Sequence, residues 1–452
     1  MRSGFPFSFC LLALLLANAC SSSVAKGPPA PEPAPSESSP GGSAPAEPVA
    51  AEPVAAETAA AVTFYGDVAP IAARHCTGCH QPDSIAPFSL VDYESAAPHA
   101  ASMAAATAAR EMPPMPVDNA GACNTYSNAR WLDDSEIATF QAWFEQGARE
   151  GDRALATPAP LAPSGLDRVD VELGMASQYS PQHDDPSHHD DYHCFVLPAA
   201  SASDEFVTGF EVIPGDARMV HHVIAFQPKD DAEAERAQAL DAAQDGDGYT
   251  CFGGPGVDAD LFAGWAPGAG PTYLPEGTGV AIAGGRPVIL QVHYNLAQGV
   301  HPDQTRVRLR LSDSVERPGY YAPMANSNLV LPPGEADAEA SRRVTLEVPA
   351  PLTIYGVLPH MHELGRTMHM ELESGGSSTC LVDVDRWNFH WQNSWWYDTP
   401  LSFPGVDALS LSCGYDTRSR TETVTYGEGT SDEMCLAYLY VTSPTLSLLR
   451  RR

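Results

Sequence analysis

Met219-Val220-His221-His222-Val223 opens a stretch that runs through Ile224 and Ala225 to Phe226. Its apolar positions are held mainly by β-branched and aromatic residues, which favour a pleated strand. Similar runs recur from about residue 169 onward: Phe195-Val196-Leu197, Val288 to Tyr294, Val307 to Leu311, Val344 to Val348 and Leu436 to Val441. Gly, Pro and Asp turns separate them, which is the pattern of antiparallel β-sandwiches. The tract is too long for one small sandwich of ~100 residues. Two are expected, over 169–315 and 316–448, with the break around Ser312-Asp313-Ser314.

These runs carry an unusual set of side chains. His221 and His222 are joined by His293 in Gln291-Val292-His293-Tyr294. Farther along come His360 and His362 in Pro359-His360-Met361-His362, and Met434 in Asp432-Glu433-Met434-Cys435. One group offers three imidazoles, the other two imidazoles and a thioether. Imidazole suits copper, and thioether favours Cu(I). The pairing implies electron movement through one copper and oxygen handling at another. On a regular strand, residues i and i+2 share a face. His360 and His362 can therefore meet one metal while Met361 points away. Adjacent His221 and His222 point apart unless the strand bulges or ends there.

Upstream, residues 62–152 read as helical. Ala96 to Arg110 is Ala-rich, and Asp134 to Glu150 carries Ile137, Phe140 and Phe144 at helical spacing. Cys76-Thr77-Gly78-Cys79-His80 is a C-x-x-C-H heme-attachment motif. Its two thiols form thioethers to the heme vinyls, and the adjacent His is the proximal ligand. The other reading is a redox disulfide that precedes His80. The Glu111-Met112-Pro113-Pro114-Met115-Pro116 loop can present the distal thioether. It resembles the Met-Pro-Pro loops of small bacterial c-type cytochromes, which favours Met112, with Met115 as the alternative. His75 is expected at the surface.

Residues 1–19 read as an export signal, with Arg2 ahead of an apolar run from Phe5 to Leu16. Ala17-Asn18-Ala19 precedes Cys20 and resembles a lipobox, so Cys20 is the candidate lipid anchor, or else an unmodified N-terminus. Residues 20–61, rich in Ala, Pro, Glu and Ser, read as an unfolded spacer, and 153–168 as a second linker. The expected location is the periplasm or outer surface of a bacterium, with membrane contact only through that lipid. The net charge of -32 argues against a nucleic-acid partner. Apart from Cys10, Cys20, Cys76 and Cys79, six cysteines remain, and an even remainder in an exported chain favours disulfides. His183, His188, His189 and His193 lie in or beside an acidic loop and read as solvated, while His369 and His390 read as structural.

In order along the chain, Asp191-Tyr192-His193-Cys194, His221-His222, Leu290-Gln291-Val292-His293-Tyr294, Pro359-His360-Met361-His362-Glu363-Leu364-Gly365 and Asp432-Glu433-Met434-Cys435 form a recognisable series. Through it, residues 169–445 resemble the copper type II, ascorbate-dependent monooxygenases. The resemblance implies two antiparallel, jelly-roll-like sandwiches, each with one copper across an open cleft. It implies that His221, His222 and His293 hold the electron-transfer copper. His360, His362 and Met434 would hold the oxygen-activating one. It pairs Cys194 with Cys251 and Cys413 with Cys435, which leaves Cys123 and Cys380 to each other by elimination. Leu358 stands where peptide-amidating members carry an Arg for the peptide carboxylate, so such peptides are not expected as substrates. Tyr438 aligns with a cleft tyrosine and is a candidate substrate contact.

The sequence therefore reads as a cytochrome c–copper monooxygenase fusion with two coppers and one covalent heme c. It would hydroxylate a C–H bond of a small organic substrate with O2, taking electrons from a periplasmic donor or an ascorbate-like reductant. The competing reading is a copper and heme electron-transfer or copper-binding protein without oxygenase activity.

Overall fold

The computed structural model describes residues 61–156, 165–182, 190–348, 350–427 and 432–444. The expected signal, Cys20, nearly all of the 20–61 spacer, half of the 153–168 linker, and His183, His188 and His189 lie outside the described residues. Each β-rich run falls in a strand. Asp190–Leu197, Val288–Asn295, Val220–Pro228 and Ala259–Trp265 pair antiparallel in that order, with Tyr249–Thr250 at the free edge of Asp190–Leu197. A four-stranded sheet lies in the second half, in the order Ala338–Val348, Val406–Tyr415, Gly365–Ser374, Ser377–Val384.

The two sheet-rich halves share a wall. A single nine-stranded sheet forms one wall of both. Its first half contains Val171–Gly174, Arg306–Ser312, Glu205–Ile213 and Thr278–Ile282. Its second half contains Arg317–Ala325, Leu436–Thr442, Leu352–His360 and Trp395–Phe403. The halves are stitched by a short parallel pairing of Arg317–Gly319 with Thr278–Val280, so the sheet is not wholly antiparallel. Two apolar cores follow. One packs Phe195, Phe210, Phe262 and Ile289 in the first half. The other packs Leu372, Leu381, Trp395 and Leu411 in the second.

The helical part has its own small core of Phe64, Phe140 and Trp143, all fully buried. Burying such a side chain stabilises by roughly 1.5–3 kcal/mol. Asp133 and Glu136 form a capping box at the start of Asp134–Glu145. That helix stops five residues short of Glu150, because Gly147 turns the chain at φ 86°. The helix expected over Ala96 to Arg110 is interrupted at its start: Ala97–His99 is a 3-10 turn containing Pro98, and the α-helix runs Ala100–Ala108. Proline has no N–H to continue the ladder.

Residues 115–131 do not stay with this helical core. Met115, Val117 and Tyr126 are buried in the core of the second sandwich. Val117 bridges Val384, and Tyr126 bridges Tyr397. Ala60–Arg452 accordingly forms one compact unit. No helix among the described residues is long and apolar enough to cross a membrane.

Candidate metal centre

Strand pairing places the first three imidazoles. Val220 pairs with Tyr294, but the next partner of His293 is His222, so the register shifts at His221. This is the bulge that two adjacent ligands require. His221, His222 and His293 are buried, and their Nδ1 atoms converge: His293 Nδ1 lies 3.1 Å from that of His221 and 3.2 Å from that of His222. Three nitrogens each about 2.0 Å from one ion are separated by roughly 3 Å. The Nε2–H of His293 donates to Asp190 Oδ1 at 2.8 Å, which leaves Nδ1 as the free lone pair. Burial, reinforced by the neighbouring imidazoles, holds all three pKa values well below the ordinary one. They stay neutral and able to ligate.

His360 closes the strand Leu352–His360, and His362 lies just beyond its end. Met361 is fully buried in the second core, on the other side of the chain. The two rings lie 5.3 Å apart. Here the opposite nitrogens are used up. His360 Nδ1 donates to Gln392 Oε1 and His362 Nδ1 to the Asp432 carbonyl, while both Nε2 atoms are buried without a partner among the described residues. An orphaned, desolvated ring nitrogen on each of two neighbouring histidines fits a metal. Burial lowers both pKa values, that of His360 to about 3. Met434 is buried next to the Cys413–Cys435 disulfide and lines the same cavity as His360.

Glu433 was missed in the sequence and holds this second set together. Its carboxylate accepts the backbone N–H groups of His362 at 2.9 Å, Leu364 at 2.7 Å and Met434 at 3.1 Å. Burial pushes its pKa up to about 7 against the pull of those three donors. Trp387 Nε1 adds a bond to the His362 carbonyl.

The Phe389 ring lies 6.4 Å from that of His293 and 6.0 Å from that of His362, so one aromatic spans the gap. A cavity of about 230 Å³ opens against His360 and Met434 and is walled by Val223, Leu261, Leu358 and Tyr438. His222 also reaches it.

A second cavity, of about 450 Å³, lies in the helical part. Cys76, Cys79, His80 and Met112 line it, among Phe88, Leu90 and Met103. Both cysteines are free thiols, and burial pushes Cys76 up to about 12. His80 Nδ1 donates to the Phe88 carbonyl at 3.0 Å, which leaves Nε2 for a ligand. Met115 lies elsewhere, in the second core. His75 is half-buried on this cavity rather than at the surface, beside Glu136. His390, read as structural, also reaches it, with Nδ1 buried and unpartnered.

His193 is a buried strand residue stacked on Tyr179, not part of a solvated loop. His369 is a surface residue between Glu371 and Asp383. Disulfides join Cys194 to Cys251, Cys413 to Cys435 and Cys123 to Cys380.

Comparison with known proteins adds an independent line. Residues 178–301 match the family description "Copper type II ascorbate-dependent monooxygenase, N-terminal domain", and residues 321–448 match its C-terminal domain. Together these cover more than half of the chain. Tyramine beta-hydroxylase of Caenorhabditis briggsae is 26% identical over 300 residues, covering 61% of this chain and 49% of that protein. Peptidyl-glycine alpha-amidating monooxygenase of Mus musculus is 24% identical, covering 68% of this chain and 30% of that protein. Dopamine beta-hydroxylase of Rattus norvegicus is 25% identical, covering 51% and 39%. The chain thus spans half or less of the length of these relatives.

Proposed function

Because the chain belongs to the copper type II ascorbate-dependent monooxygenase family, we propose that it is an exported monooxygenase that hydroxylates a C–H bond of a small organic substrate with O2. The observation that supports this most is the pairing of two buried ligand sets of different chemistry, with a substrate-sized cavity against the one that contains Met434. His221, His222 and His293 hold one copper, and His360, His362 and Met434 the other. The coppers supply one-electron storage at the first set and oxygen activation at the second.

The protein's own part is to fix donors and exclude water. Asp190 orients His293, Gln392 orients His360, and the Asp432 carbonyl orients His362. Such partners set which nitrogen faces the metal. Val223, Leu261 and Leu358 give the cavity apolar wall, and Ser394, Tyr426, Tyr438, Gln392 and Asp258 give it polar wall. A compact substrate fits this lining, and a carboxylate-terminated peptide does not, because the described residues that line it include Asp258 and no Lys or Arg.

Cys76 and Cys79 hold a covalent heme c, with His80 as proximal and Met112 as distal ligand. The free thiols, the oriented His80 and the apolar walls support this. The heme carries electrons from a periplasmic donor or an ascorbate-like reductant. Three disulfides fit an oxidising compartment. Anchoring through a lipidated Cys20 completes the reading.

Metal and heme stoichiometry, with O2 uptake measured during a substrate screen, tests it. Two coppers and one heme per chain, with hydroxylated product formed only while Met434 is intact, is the expected result. Full metal loading with O2 uptake never coupled to product would leave an electron-transfer protein.

A further inference from the structure

The cavity lined by Cys76, Cys79 and His80 is not closed by helical residues alone. His221, one of the three imidazoles of the first metal set, forms part of its wall, with His390 and Trp391 beside it. The His221 ring lies 5.7 Å from that of His390 and 5.5 Å from that of Trp391. His390 Nδ1 is buried there with no partner among the described residues, which points to a group that fills this space. The cavity and the metal set therefore share a wall one side chain thick.

That wall is held rigidly. Cys123–Cys380 bonds the 115–131 strap, which leads out of the helical core, to the second sandwich. Asn124 Nδ2 donates to the carbonyls of Cys380 at 3.0 Å and Leu381 at 2.9 Å. Asn128 Nδ2 donates to the Ser394 carbonyl at 2.7 Å, and its Oδ1 accepts the Trp396 N–H at 3.0 Å, just beyond Trp391. Arg130 donates to the Pro267 carbonyl, and Gln298 Nε2 to the carbonyl of Ile85.

We propose that the helical module is a fixed electron-entry port, and that Trp391 and His390 are the positioning residues that join its redox site to the copper site at His221. The proposal rests on the heme and copper assignments above and adds the route between them. Electrons enter at the three-imidazole set, not at the set containing Met434, and arrive without a diffusing carrier at the last step. In electron terms, the Cys76/Cys79/His80 site gives up one electron, Fe(II) to Fe(III). The His221/His222/His293 site accepts it, Cu(II) to Cu(I). No bond forms or breaks and no proton is transferred. An external one-electron donor, of the ascorbate or reduced redox-protein class, restores Fe(II).

The test uses the full chain loaded with both metals. A pyridine hemochrome spectrum comes first, because absence of heme c would sink the functional reading itself. The heme is then reduced by a light flash and its absorbance is followed as it reoxidises under anaerobic conditions. The expected return is first-order, with a rate unchanged on tenfold dilution, and slowed tenfold or more in Trp391→Leu at unaltered heme and copper content. Ferric heme is also expected to shorten the relaxation of the Cu(II) electron-spin signal from the three-imidazole site, in the unmodified protein and in Trp391→Phe. A reoxidation rate that scales with protein concentration would overturn the proposal. So would an unperturbed Cu(II) signal, or native rates in both Trp391→Leu and His390→Ala.

Discussion

Glu433 receives three backbone N–H groups in a buried position. Truncation to Ala leaves those donors unpaired, at about 1–3 kcal/mol each if the loop cannot shift. Glu433→Ala is therefore expected to lower the melting temperature and to lose the copper at His360, His362 and Met434 first. The copper at His221, His222 and His293 should remain. Glu433→Gln keeps the shape and one acceptor oxygen, so it should lose less of both. Copper counting beside a thermal melt checks the pair, and equal loss from both sites would sink the argument. The histidines that the structure brings together were legible in the sequence, through the joint occurrence of His-His, Val-His-Tyr and His-x-His in β-rich runs. Their orienting partners were not. Asp190, Gln392 and Glu433 reach them from other elements, and no local spacing encodes those contacts. The place of His390 on the cavity beside Cys76 and His80 was hidden for the same reason: a lone histidine between Phe389 and Trp391 gives no periodic signal of what it faces.

At the level of elements, the segment 115–131 departs most from what the sequence implied. It sits between two helical stretches and reads as part of the module they form. Its apolar residues Met115, Val117 and Tyr126 instead fill the second sandwich, and Cys123 is bonded there. Nothing in a single strap of sequence names the core that will bury it. The register shift at His221 is one of the two arrangements, bulge or strand end, that adjacent ligands allow. The parallel stitch between Thr278–Val280 and Arg317–Gly319 was not legible, being only three residue pairs long. Replacing Cys123 and Cys380 together by Ser is expected to cost about 2–4 kcal/mol in denaturant unfolding. Amide exchange should rise mainly in 115–131 and in the helices on either side, with the sandwich strands little changed. Uniform loosening of all strands would mean that the strap is not a separate clamp.

For the molecule as a whole, the five buried imidazoles of the metal sets make stability rise with pH, against the single buried Glu433 carboxyl, whose raised pKa acts the other way. His221, His222, His293, His360 and His362 all have pKa values lowered by burial. In the unfolded chain they return to about 6.5. Above that value both states are neutral, and the full stability is present. As pH falls below it, the unfolded chain takes up protons that the folded copper-free protein cannot. Each group then costs at most about 1.4 kcal/mol per pH unit until its depressed folded value is reached. The copper-free protein should therefore melt at clearly lower temperature at pH 5 than at pH 7. Copper binds only the neutral imidazoles, and ligand binding to the folded state alone raises stability by mass action. The rise in melting temperature on adding copper should be large at pH 7 and shrink toward pH 5. Melting curves of the metal-free and loaded protein across that range decide it. If the metal-free curve were flat with pH, these imidazoles would be solvated, and two preorganised copper sites would no longer be tenable.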